Sequence, residues 1–208
     1  GCGSTEVAEP YPTCYLNGAF GPLSDARISP LDRGFLFADG VYEVIPVHRS
    51  RPFRLRAHLQ RLGDSLAAIR LPNPHDEREW LSILQQLAAA AGGAEMLLYV
   101  QVTRGAEIGR NHLFPRPASP TVFAFASPYP LPSAQTLDEG LGAITLEDIR
   151  WARCDIKSVA LLANVLLRQE AADRGADEAL LVRDGLLLEG SSSSVLLCIG
   201  GTLVTPPN

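Results

Sequence analysis

Polar and apolar side chains follow two rhythms along this chain, and the places where one rhythm gives way to the other mark its elements. Thr13-Cys-Tyr-Leu-Asn-Gly-Ala-Phe reads as a hairpin with Asn17-Gly18 as its turn. Gly40 to Val47 is β-rich, with Val41, Val44, Ile45 and Val47. Leu59, Leu62, Leu66 and Ile69 then recur at helical spacing and predict a helix over Arg56–Leu71, stopped by Pro72 and Pro74. Asp76 opens a second helix through Trp80, Leu81, Ile83, Leu84 and Leu87, ended by Gly92-Gly93. Met96–Thr103 and Thr121–Ser127 are strands, joined by a Pro-containing loop from Gly105 to Pro120.

Farther along, a strand is expected near Leu141–Leu146 and a helix from Ser158 to about Arg174, with Gly175 beyond it. Strands follow over Glu178–Val182, Leu186–Leu188, Val195–Ile199 and Thr202–Thr205, with Asp184-Gly185 and Gly200-Gly201 as turns. Pro128-Tyr-Pro-Leu-Pro-Ser reads as a stiff linker. The expectation is therefore two α/β domains, over 1–127 and 134–208, joined by the linker 128–133.

Composition narrows the classes of function. With 18 basic and 23 acidic side chains and no basic block, the chain is not suited to nucleic acid. No apolar run is long enough to span a membrane. Gly1–Glu6 lacks the basic region and apolar core of a signal peptide, and Cys2, Cys14, Cys154 and Cys198 have neither metal-site nor CxxC spacing. A reduced, cytoplasmic setting and no metal are expected.

Lys157 is the single lysine of the chain; every other basic side chain is arginine. Compositional drift explains the scarcity, but a position that must deprotonate to form a Schiff base cannot accept arginine. Lys157 lies in Arg153-Cys-Asp-Ile-Lys-Ser, and Glu189 opens a Gly-Ser-Ser-Ser-Ser tract. A lysine nucleophile, an acid and a cluster of hydroxyls suit pyridoxal 5'-phosphate (PLP): the lysine forms an aldimine and the acid keeps the pyridine nitrogen protonated. On spacing alone, the same residues equally describe a surface lysine before a helix and an acidic loop.

Four separated segments settle that choice by resemblance. Asp32-Arg-Gly-Phe-Leu-Phe-Ala-Asp-Gly-Val-Tyr-Glu-Val, His58-Leu-Gln-Arg-Leu, Asp155-Ile-Lys-Ser and Glu189-Gly-Ser-Ser-Ser resemble the fold-type IV PLP-dependent aminotransferases in order and spacing, from about Tyr15 to Pro207. Val102-Thr-Arg-Gly with Arg110-Asn-His, and Glu147-Asp-Ile-Arg-Trp-Ala-Arg-Cys-Asp-Ile-Lys-Ser, are similar to D-amino-acid aminotransferases of the D-alanine type. The resemblance implies a small N-terminal α/β domain and a larger pseudo-barrel domain that binds the cofactor. It makes Lys157 the catalytic lysine, Arg61 the phosphate ligand, Glu189 the pyridine-nitrogen partner, and Ser192 and Ser193 the cofactor lining. Tyr42, Arg110 and His112 become a trap for the substrate carboxylate, whereas without the family pattern Arg110 and His112 read as solvated residues of a Pro-rich loop. His58 reads chiefly as packing beside Arg61, and Glu43 as a group that orients Tyr42.

The implied reaction is transamination of D-amino acids, such as D-alanine with 2-oxoglutarate, by a homodimer in which Arg110 and His112 reach the neighbouring subunit's cofactor. An R-selective amine transaminase, an aminodeoxychorismate lyase and a non-catalytic remnant of the fold are the alternatives. Ser194 and Leu196 stand where the family has Asn and an aromatic residue. Family members also continue beyond the position of Asn208, so the C-terminal domain is expected to be incomplete and PLP to be held weakly.

Overall fold

A computed structural model describes residues 8–206; residues 1–7, including Cys2 and the Gly1–Glu6 stretch, and Pro207 and Asn208 lie outside the described residues. The chain forms two compact units. One runs to Pro130 and includes Ile156–Ala160; the other comprises Leu131–Asp155 and the chain from Leu161.

In the first unit, β1 (Thr13–Leu16), β2 (Ala19–Pro22), β3 (Gly40–His48), β4 (Arg51–Pro52), β5 (Met96–Thr103) and β6 (Thr121–Pro128) form one sheet in the order β2-β1-β6-β5-β3-β4. Every pairing in it is antiparallel. Asn17 (φ 48°) and Gly18 (φ 99°) both take positive φ, the two-residue turn whose twist matches a hairpin. A short helix, α1 (Arg33–Phe37), precedes β3, and α2 (Leu55–Ala68) and α3 (Glu77–Ala91) follow β4. Asp76 and Glu79 form the reciprocal cap that starts α3, each side chain accepting the other's backbone N–H at 2.8 Å.

Strand alternation sends Val41, Ile45 and Val47 to one face of the sheet with Leu98, Val100, Val102, Val122, Ala124 and Ala126. Leu62 and Leu66 of α2 and Trp80, Leu84 and Leu87 of α3 complete this core. Helix α2 ends at Ala68 rather than Leu71. Arg70 turns left-handed (φ 55°), and the Leu71 N–H returns to the Leu66 carbonyl, so Leu71 is buried before the prolines are reached.

In the second unit, β7 (Ala143–Glu147) runs parallel to β8 (Glu178–Arg183), and β9 (Leu186–Gly190) pairs antiparallel with β8. A parallel pair needs a long crossover, supplied here by α5 (Leu162–Asp173). Leu167 and Ala171 of α5 pack on Ala179 and Leu181. Helix α4 (Ala134–Glu139) leads into β7, and β10 (Leu197–Ile199) with β11 (Thr202–Val204) makes a separate hairpin.

The expectation of a helix from Ser158 is corrected: α5 starts at Leu162. Residues 156–160 are drawn instead to the edge of β3. The Tyr42 N–H donates to the Lys157 carbonyl (3.0 Å), the Val159 N–H donates to the Gly40 carbonyl (3.1 Å), and Ile156 is buried in the sheet core. Backbone groups spent on a strand edge are unavailable to a helix. For the same reason this stretch belongs to the first unit, although the sequence reading assigned everything after residue 133 to the second.

Candidate active site

Lys157 is held on the edge of β3 by that pairing. Its own N–H donates to Ser65 Oγ of α2 at 3.3 Å. The side chain is half-buried, with Nζ 4.2 Å from the centre of the Tyr42 ring. No carboxylate pairs with Nζ among the described residues. Tyr42 stacks on Tyr99 at 5.8 Å, and Tyr99 contacts Phe125 at 5.1 Å, so the amine lies against the end of an aromatic row. Burial, with Tyr42 nearby, pushes the Tyr99 phenol up to about 12.

Glu43, the next residue on β3, is fully buried on the helix side of the strand. It does not orient Tyr42, because successive strand residues face opposite ways. Its carboxylate instead accepts from Arg61 Nε (2.5 Å) and Nη2 (2.8 Å) and bonds His58 Nδ1 (2.8 Å). Burial alone would raise the Glu43 pKa; the hydrogen bonds from Arg61 and His58 reverse this and hold it below the ordinary range. His58 therefore shares the carboxylate that fixes Arg61. About half of the Arg61 side chain is exposed, and Nη1 has no hydrogen bond among the described residues.

The loop between β5 and β6 carries Arg110 and His112, both exposed. Gly105 at its start has φ 85°, and a Cβ there would collide with the Ser119 carbonyl, so the two ends of the loop touch only because this residue is glycine. Arg110 and His112 both rest on Phe37 of α1, at 4.9 and 5.1 Å. No hydrogen bond or aromatic contact joins either to Tyr42 among the described residues.

In the second unit, Glu189 lies on β9 and pairs with Arg150, which also chelates Asp148 through Nε (2.9 Å) and Nη2 (2.9 Å). The hydroxyls of Ser192 and Ser193 do not stand free. They donate to Glu178 Oε2 at 2.9 and 2.8 Å, while Ser191 donates to Oε1 of the same carboxylate. Burial would raise the Glu178 pKa, but the hydrogen bonds from Ser191, the Ala179 N–H, Ser193 and Ser192 take it down to about 2. This stabilises the fold above an ordinary value of 4.5, and the contribution disappears as pH falls from 4.5 towards 2. Glu178→Gln should flatten the pH dependence of the melting temperature across that window; an unchanged slope would show that the serine turn does not depend on this charge.

The donor set suits PLP unit by unit. An amine without a carboxylate partner can meet an aldehyde, a guanidinium with a spare N–H can meet a phosphate, and a carboxylate can meet a pyridine nitrogen. Arg33, Phe37, Asp39, Arg104, Arg150 and Glu178 carry much of this architecture, yet none was given a role from sequence. Asp32-Arg-Gly opens the first of the four motif segments, but sequence does not distinguish a buried arginine from a solvated one.

Residues 40–208 match the model of the amino-transferase class IV family. D-alanine aminotransferase of Staphylococcus epidermidis is 38% identical over 194 residues, covering 93% of this chain and 68% of that protein. D-alanine aminotransferase of Bacillus licheniformis is 39% identical over 192 residues, covering 92% and 67%. Among solved structures, a PLP-bound hypothetical aminotransferase from Mycobacterium tuberculosis superposes with a TM-score of 0.78 at 28% identity, over 94% of this chain and 71% of that one. The chain belongs to the class IV aminotransferases, and PLP is the cofactor of its chemistry. No helix among the described residues is long and apolar enough to cross a membrane.

Proposed function

We propose that this chain transfers an amino group from a D-amino acid to an oxo acid, with D-alanine as donor and 2-oxoglutarate as acceptor. The observation that carries the reading is the lone lysine, its Nζ against the Tyr42 ring and free of any described carboxylate. The identity of 37–39% to proteins named D-alanine aminotransferase supports the choice of substrate. Bound PLP supplies an aldehyde and an electron-drawing ring. Lys157 is the nucleophile towards that aldehyde and the base that moves the proton at the substrate Cα. Arg61, steadied by Glu43, takes the phosphate; Glu189 takes the pyridine nitrogen, and the Ser192-Ser193 turn lines the ring. Tyr42, Arg110 and His112 orient the substrate by its carboxylate, Arg110 and His112 acting on the neighbouring subunit of a homodimer. A cytoplasmic setting agrees with the free thiols of Cys14, Cys154 and Cys198.

The test is a visible spectrum of the PLP-loaded protein before and after D-alanine or L-alanine, followed by borohydride reduction and mass analysis. The expected result is a band that bleaches with D-alanine alone, and a reduced adduct on Lys157. Bleaching with L-alanine alone, or an adduct elsewhere, would overturn the reading.

A further inference from the structure

We infer that Arg33, with Phe37 one turn later on α1, is the positioning device for the loop that presents Arg110 and His112; the inference rests on the carboxylate-trap reading above. Loops of this length without secondary structure are uncommon in compact domains unless they serve a function, and a long loop needs something to fix its tip. Here the Asp32-Arg33 pair fastens it at several points. Asp32 accepts from Thr121 Oγ1 (2.6 Å) where the loop ends, and the Arg33 N–H donates to the Gly105 carbonyl (2.9 Å) where it begins. The Arg33 side chain then reaches the middle. Nη1 donates to the Asn111 carbonyl (2.5 Å) and to Glu107 (3.3 Å), and Nη2 donates to the His112 carbonyl (3.4 Å).

Arg33 is only 3% exposed, so its charge requires compensation. Asp39 supplies part of it, accepting from Arg33 Nε at 2.9 Å and from Arg104 Nε at 2.8 Å, and Glu107 supplies the rest. Burial would raise the Asp39 pKa, but hydrogen bonds from Arg104 and Arg33 hold it below its ordinary value. The fork of a guanidinium can serve two successive carbonyls and two carboxylates at once; an ammonium cannot span them. Phe37 gives Arg110 and His112 a shared face to rest on, and Arg33 itself stacks on that ring at 4.9 Å. The backbone at Asn111 and His112, directly after Arg110, is thus fixed by Arg33, and the Arg110 and His112 side chains rest on Phe37. Arg33 touches carbonyls rather than substrate, so it is a positioning residue.

Arg33→Lys and Phe37→Leu are the test variants, with Arg110→Gln as the reference, all in the PLP-loaded protein. The first readout is the single-turnover loss of the visible band with D-alanine and with ethylamine, its carboxylate-free counterpart. Misplacing a binding group by about 1 Å costs up to ~100-fold in rate. Arg33→Lys and Phe37→Leu are expected to slow D-alanine on the order of tenfold and to leave ethylamine within about twofold. A merely structural role would slow both substrates together, and that result overturns the inference. So does an unchanged ratio of the two rates in both variants while Arg110→Gln loses its preference for D-alanine. If Arg110→Gln keeps that preference, the trap reading fails, and the inference fails with it. The second readout needs no activity: tryptic cleavage after Arg110 should be several-fold faster in Arg33→Lys than in the parent protein. Cleavage at the parent rate overturns the proposal.

Discussion

Replacing Lys157 with alanine should lower kcat/KM for D-alanine by ~10,000-fold or more, and Lys157→Arg should not rescue it. General acid–base catalysis alone contributes roughly 100- to 10,000-fold, and in the proposed mechanism Lys157 is also the nucleophile towards the cofactor aldehyde. Arginine keeps the positive charge over Tyr42 but does not deprotonate, so it supplies neither function. The alternative is that Lys157 acts only as a cation beside an aromatic ring, a contact worth about 0.5–2 kcal/mol. Steady-state rates separate the two accounts. If Lys157→Arg retains more than about a tenth of the parent rate, the lysine is not the catalytic base, and the proposed mechanism falls.

Arg110→Gln should raise KM for D-alanine by about 10- to 150-fold while kcat changes far less. Hydrogen bonds to a charged group contribute roughly 1.5–3 kcal/mol, which is that range of affinity. Arg110 is exposed on its loop and its guanidinium stacks on Phe37, so removing its charge leaves no buried partner uncompensated and should cost little stability. A drop in kcat with KM unchanged would show that Arg110 acts in the chemical step rather than in carboxylate binding. A parallel drop in melting temperature would instead make it part of the packing of α1.

What sequence could and could not disclose follows from the kind of force involved. The hairpin at Asn17-Gly18, strands β3, β5 and β6 and the capped helix α3 were all apparent, because backbone preference and period act within a few residues. The five-residue helix α1 is too short to show a period, and its cap is set by Asp32 accepting the Gly34 N–H. The start of α5 was missed because the competing partner for residues 158–160 is β3, over a hundred residues away. For the candidate site, motifs single out Lys157, Arg61 and Glu189, and their roles remain those proposed above. Glu43 illustrates the limit: as the neighbour of Tyr42 it was expected to assist it, and strand alternation turned it to the other face, onto Arg61 and His58. Glu178 could not be found, since only the returning turn of serines gives its carboxylate a purpose.

The edge pairing of residues 156–160 also makes the folded chain its own reporter. A lysine-specific endoproteinase has a single bond to cut, Lys157–Ser158, and an extended strand edge must detach before a protease can thread it. Native cleavage therefore occurs only in molecules where Tyr42 and Gly40 have released that segment. Under conditions where the segment recloses faster than it is cut, the rate of appearance of two fragments measures the free energy of that one local opening, at the lysine proposed to carry the chemistry.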